Sequence, residues 1–214
     1  MSKPLLVGLT GGIGTGKSLA LAEFRRAGAA TVCLDEISRE LSAPGGAACS
    51  RVLRAFGPAV AAPDGGLAPK ALGERVFGSP RLRRKLERLT HPLILREMER
   101  RLRGLRGAVA VVDAPLLFEA RMEKRFDLTM LVAATHARQL ARVIERDHLS
   151  RASARRRIRS QMPLPLKRLR SDVVVENDGP KSQFRSKIRS FYQAFRLISA
   201  PPRRTHHGKR HAAP

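Results

Sequence analysis

Five apolar runs interrupt the polar background of the chain, at residues 5–9, 30–34, 108–112, 128–133 and 173–175, with segments of helical period between them. Runs that are apolar at every position, rather than at alternate ones, belong to strands covered on both faces. Parallel strands need crossover helices, so the alternation predicts an α/β three-layer domain around a five-stranded parallel sheet. Its core is expected at about residues 1–40, 108–145 and 171–199. Between the second and third runs, residues 41–107 exceed what one crossover needs and predict an inserted helical subdomain. There Leu82, Leu86, Leu89 and Leu93, then Leu95, Met98, Leu102 and Leu105, recur at three- and four-residue steps. This predicts two amphipathic pieces broken near His91 and Pro92. The stretch "AAPDGGLAP" reads as a loop. Residues 181–198 place Phe184, Ile188, Phe191 and Phe195 on one face of a last helix, as core packing requires. From residue 200 onward "APPRRTHHGKRHAAP" has no apolar residues able to build a core, and residues 200–214 are expected to be a disordered basic tail.

Charge adds a second layer. The 214 residues carry 42 Lys and Arg against 18 Asp and Glu, a formal +24. Such a field attracts phosphates of every kind and selects no partner; with only 4% aromatic residues for base stacking, nucleic-acid binding is expected to be at most non-specific. No apolar stretch approaches the roughly 20 residues of a membrane span, and the start MSKPLLVGLTGG is unlike a secretory leader. A cytoplasmic location is expected. Cys33 and Cys49 are too few for a disulfide framework and read as reduced.

The chemistry concentrates in "GLTGGIGTGKS", directly after the first apolar run and before the helical run Leu19, Leu21, Phe24. Gly11-x-x-x-x-Gly16-Lys17-Ser18 is a phosphate-binding loop in the strand-to-helix context that such a loop requires. Glycines let backbone N–H groups converge on phosphate oxygens, and the helix adds its positive N-terminus. Lys17 is expected to reach the β- and γ-phosphates and Ser18 to give its hydroxyl to Mg²⁺, while Gly12, Ile13, Gly14, Thr15 and Gly16 wrap the triphosphate of ATP. A guanine-binding Asn-Lys-x-Asp and an Asp-x-x-Gly switch turn are both absent from the sequence, which argues against a GTPase.

A small-molecule kinase also needs a base, an acceptor pocket, arginines for the transferred charge and closure against water. Asp35 follows the second strand at the carboxyl edge of the sheet and is the candidate base; aspartate is equally favoured as N-cap of a helix beginning at Glu36, and the two roles are compatible. Asp113 ends the third strand in "VVDAPLLFE", where it can hold Mg²⁺ through water or cap a turn. Residues 146–170, rich in arginine, read as a lid. Arg142 and Arg146 lie one turn apart on the preceding helix, facing the nucleotide. Asn177 and Gly179, in the turn of "VVVENDG", suit adenine, although turn chemistry alone also explains them. His91 suits an acceptor pocket, but a lone histidine at a helix break is more often structural.

Taken together, "GLTGGIGTGKS", "DEISREL", "RVF", "LTHPLI", "DAPLLFE", "RDHLSRASARRRIRSQMP" with Lys167, and "DVVVENDG" resemble the dephospho-CoA kinase family across nearly the whole chain to residue 198. The resemblance implies a phosphate-loop kinase fold with a helical CoA-binding subdomain and an arginine-rich lid. It implies transfer of phosphate from ATP, with Mg²⁺, to the ribose 3′-hydroxyl of dephospho-CoA. A nucleoside monophosphate is the alternative acceptor, and a nucleotide-regulated nucleic-acid binder is a more distant one. It further implies Asp35 as the catalytic aspartate, Gly12 to Leu19 as the ATP loop, and Thr10, Arg39, His91, Pro115 and Leu116 on the acceptor side. One departure stands out: the family usually reads Asp-Ala-Asp where this chain reads Cys33-Leu34-Asp35.

Overall fold

The computed structural model describes residues 3–76, 78–105 and 107–199. Five strands, β1 (Leu5–Gly11), β2 (Ala30–Cys33), β3 (Val109–Asp113), β4 (Leu128–Ala133) and β5 (Val173–Glu176), form one parallel sheet in the order β2-β3-β1-β4-β5. Alternate residues of each apolar run serve opposite faces. Val7, Leu9, Val109, Val111, Met130 and Val132 pack under α1 (Lys17–Arg26) and α9 (Lys181–Ser199). Leu6, Val32, Ala110 and Val112 pack on the other side, against Ile37 of α2 (Leu34–Ser42) and Met98 of α5 (Pro80–Arg103). Each fully buried aliphatic side chain removes enough apolar surface to contribute about 1.5–3 kcal/mol, so three layers follow from runs without polar interruption. On α9, Tyr192 joins Phe184, Ile188 and Phe195 in the buried stripe, and Phe191 packs half-buried at its edge. The tail reading falls on residues 200–214, outside the described residues.

Residues 41–107 carry α3 (Ala47–Phe56), α4 (Pro69–Val76) and α5, with a small core of their own around Cys49, Val52, Phe56, Val60 and Leu67. The expected break at His91 and Pro92 does not occur, because α5 runs unbroken from Pro80 to Arg103 with Pro92 inside it. Two cores hold the helix together. Its first half sets Leu82, Leu86 and Leu89 on the small core, and its second half sets Ile94, Leu95, Met98 and Leu102 on the sheet core. Burying Met98 and partly burying the other six apolar side chains outweighs the roughly 3 kcal/mol that an interior proline costs. Pro92 itself is exposed, and its ring meets solvent.

The stretch between β4 and β5 is helical too, with α6 (His136–Asp147) ahead of the arginine-rich residues 146–170, which carry α7 (Arg151–Arg159) and α8 (Leu164–Arg170). Ala154 of α7 packs on Leu140 and Val143 of α6, so much of the arginine charge remains on the outer face. Both ends of β4 are clipped to β5. Thr129 donates its N–H and hydroxyl to Asp172 at 2.8 and 2.7 Å, and Thr135 donates both groups to Asp178 at 2.9 Å.

Two stability outcomes follow from these contacts. Pro92→Ala restores a helical N–H and is expected to raise unfolding stability by about 1–2 kcal/mol, seen as a higher calorimetric Tm; a lower Tm would show that the proline is required. The Thr129 hydroxyl and N–H hold the Asp172 carboxyl below its ordinary value. A depressed carboxyl contributes stability above its unfolded value of about 4 and loses it as pH falls through the folded one. Asp172→Ala is therefore expected to cost about 1 kcal/mol at pH 7 and nothing measurable once wild-type Asp172 is protonated, as urea titrations between pH 2 and 7 would show.

Candidate active site

The loop between β1 and α1 is shaped by what holds its carbonyls. Gly12 O accepts from Thr15 N–H at 3.2 Å and from Thr15 Oγ1 at 2.8 Å. Thr15 O accepts from Asn177 Nδ2 at 2.7 Å, and Arg142 donates to Gly14 O at 3.2 Å, Thr15 O at 3.4 Å and Asn177 O at 2.8 Å. The N–H groups of Gly14, Gly16, Lys17 and Ser18 meet no protein acceptor among the described residues. They gather where the α1 dipole is positive, which makes an anion cradle. Gly16 sits at φ 96°, and a Cβ there would fall 2.1 Å from Asn177 Nδ2, so only glycine fits.

A cleft of about 960 Å³ opens over the loop, lined by Gly12, Ile13, Gly14, Gly16, Lys17 and Ser18, by Arg142 and Arg146 of α6, and by Gly179. Arg142 binds backbone carbonyls through both Nη1 and Nη2, and so braces the loop. Arg146 is exposed and paired with Asp147 at 2.7 Å; that arginine holds the Asp147 carboxyl below its ordinary value. Leu19 departs from the loop set: its N–H bonds Gly16 O at 3.0 Å and its side chain packs on the sheet core. The buried Asn177 acts on the loop through its amide.

Beside the loop, β3 and β2 end at the same level, with Leu9 opposite Asp113 and Asp113 opposite Cys33. Asp113 is buried and ion-paired with Lys17, and it caps no helix. Burial pushes its carboxyl up, the Lys17 ammonium opposes that, and the negative charge of Asp35 adds to the rise. Cys33 Sγ lies 3.9 Å from Asp113 Oδ2, and burial pushes its thiol up as well. A neutral thiol there spares Asp113 the second carboxylate that an aspartate would place against it.

The N-cap reading of Asp35 is corrected: α2 starts at Leu34 behind an extended Cys33, so Asp35 lies inside the first turn. No side-chain partner holds its exposed carboxylate among the described residues, and its backbone carbonyl accepts from Arg39 Nε at 3.4 Å. A second cleft, of about 480 Å³, lies between α2, α5 and the segment after β3; Asp35, His91, Pro115 and Leu116 line it. Asp35 and Pro115 line both clefts. Thr10 and Arg39 line neither. Thr10 is buried and donates its hydroxyl to Pro115 O at 3.3 Å, which makes it a support of the cleft wall.

Three contributors lie in stretches that carry the resemblance but received no role from the sequence. Lys167 of α8 is fully buried and donates to Pro115 O at 3.1 Å and to Glu119 at 2.9 Å. Glu119 in turn accepts from Met162 N–H at 3.3 Å. Gln161 accepts from Ile13 N–H at 2.8 Å. Lys167 and Gln161 sit in a run of basic and polar residues where neither spacing nor composition sets them apart; the resemblance singled out their stretch without saying what either residue holds. Among the described residues no cluster of three or more His, Cys, Asp or Glu side chains forms a metal site, and no helix is long and apolar enough to cross a membrane.

Gly16→Ala combines a left-handed backbone with a steric conflict at Asn177. It is expected to weaken ATP binding by about 10- to 100-fold with an unchanged circular dichroism spectrum, measured by calorimetry. Unchanged affinity would remove the loop from the nucleotide site.

The geometry has close relatives. A crystal structure of TT1252 from Thermus thermophilus superposes with a TM-score of 0.80 at 32% identity, covering 89% of this chain and 97% of that one. The dephospho-CoA kinase of Syntrophotalea carbinolica is 40% identical over 187 residues, which span 86% of this chain and 89% of the relative. That of Anaeromyxobacter dehalogenans is 40% identical over 206 residues, 92% of this chain and 98% of the relative. The family model described as dephospho-CoA kinase matches residues 5–183, and with the loop, the paired clefts and Asp35 between them, this chain belongs to the dephospho-CoA kinase family.

Proposed function

We propose that the chain transfers the γ-phosphoryl group of ATP to the ribose 3′-hydroxyl of dephospho-CoA, with Asp35 as the base. The observation that carries the assignment of roles is the position of Asp35 in the lining of both clefts, one floored by the anion cradle and the other walled by the helical subdomain. A donor in the first and an acceptor in the second meet at this carboxylate. Asp35 takes the proton of the 3′-hydroxyl as its oxygen bonds to the γ-phosphorus; the bond from that phosphorus to the β,γ-bridging oxygen breaks and ADP leaves. The free amides of Gly14, Gly16, Lys17 and Ser18 bind phosphate oxygens, and the Lys17 ammonium turns from Asp113 towards the β- and γ-phosphates. Arg146 supplies charge from the lid side, and Gly179 borders the adenine end.

Mg²⁺ suits the donor set. The Ser18 hydroxyl lines the cleft and the Asp113 carboxylate ends the neighbouring strand, giving few and hard oxygen ligands for an ion that keeps most of its water and phosphate oxygens. Ser18 would bind it directly and Asp113 through water, and the ion neutralises charge between the β- and γ-phosphates when bound. His91, Pro115 and Leu116 form the acceptor wall, and Arg39 lies one turn along α2 from Asp35, whose carbonyl it binds. The free thiols Cys33 and Cys49 accord with a cytoplasmic enzyme. The exposed arginines account for non-specific attraction of nucleic acid and no more.

Purified protein given ATP, Mg²⁺ and dephospho-CoA is expected to add one phosphate at the ribose 3′ position, identified by mass spectrometry, and to leave nucleoside monophosphates unmodified. Asp35→Asn is expected to lower kcat by about 10²- to 10⁴-fold with KM for ATP little changed. Full turnover in that variant would refute Asp35 as the base, and absence of CoA from the wild type would refute the acceptor.

A further inference from the structure

Among the described residues, one hydrogen bond joins the lid to the phosphate loop, from Ile13 N–H to Gln161 Oε1 at 2.8 Å. The donor is an amide, so the atom facing it must be the carboxamide oxygen, and this fixes which end of Gln161 remains. The free end is Nε2 with two N–H groups, and it has no protein acceptor among the described residues. Gln161 is half-buried and lines the cleft over the loop together with Lys17, Asp35 and Arg146. Its backbone is well supported: Met162 N–H is held by Glu119, and Glu119 by the buried Lys167. The loop amides nearer α1 are free for inner phosphates, whereas the Ile13 amide is already taken. A phosphate oxygen reaching the Ile13 end of the loop therefore meets the carboxamide.

We propose that Gln161 orients the terminal phosphate of the nucleotide, its oxygen anchored by the Ile13 amide and its Nε2 donating to a γ-phosphate oxygen. This rests on the reading of the loop as the ATP site. The role makes the side chain sensitive to the third phosphate and indifferent to the second, which a purely structural contact between lid and loop is not.

The test is calorimetric binding of ATP and of ADP, each with Mg²⁺ and without acceptor, to the full chain and to Gln161→Ala and Gln161→Glu. Gln161→Ala is expected to weaken ATP about tenfold and ADP less than about twofold. Gln161→Glu keeps the acceptor for Ile13 N–H, loses the donor and adds negative charge, so it is expected to weaken ATP further still. It also decides the matter should the alanine variant fail to fold. Equal losses for ATP and ADP, or no change in their ratio, would overturn the proposal. If the wild type binds ATP but makes no CoA, the acceptor reading falls while the ATP-to-ADP ratio still decides the role of Gln161; a wild type that binds neither nucleotide overturns both.

Discussion

An anion cradle works only if backbone carbonyls point elsewhere, and in this loop the carbonyls of Gly12, Gly14, Thr15 and Gly16 all have donors. Those donors come from the loop itself, from α1, from Arg142 on α6 and from Asn177 beyond β5. The loop is thus held by the β4–β5 half of the molecule as much as by its own glycines. The Thr135–Asp178 clip, which fixes the end of β4 to the turn that carries Asn177, lies outside the cleft over the loop and still sets its floor.

A similar arrangement holds the wall between the two clefts. Pro115 O accepts from Thr10 of β1 and from Lys167 of α8. A buried lysine is tolerated because it has both a carboxylate and a carbonyl, and removing either partner would leave charge without compensation. Around this wall stand Asp35, Asp113 and Lys17. The lysine pairs with Asp113, whose carboxyl is already pushed up by burial, so moving the ammonium to a phosphate leaves Asp113 in need of another cation.

The strands and the loop were legible in the sequence because their signals are local. An all-apolar run such as Val109 to Val112 has no other stable location, and Gly16 before Lys17 states its own backbone need. The break at Pro92 was misread because propensity was weighed without the two cores that α5 touches. Asp35 as N-cap failed by a single turn boundary, since α2 begins without any linker after β2. Arg142 and Thr10 have backbone carbonyls as partners, which sequence does not display. Gln161 and Lys167 act across 148 and 52 residues, on Ile13 and Pro115, and nothing within their own neighbourhood encodes those distances.

The unbroken α5 joins the small helical core to the sheet core as one strut, and α2 leaves β2 directly at Leu34. The cleft that Asp35 shares with His91 and Leu116 is thereby walled by helices continuous with the sheet core. The α7–α8 segment is tied to the wall of that cleft through the buried Lys167 and carries its arginines outward.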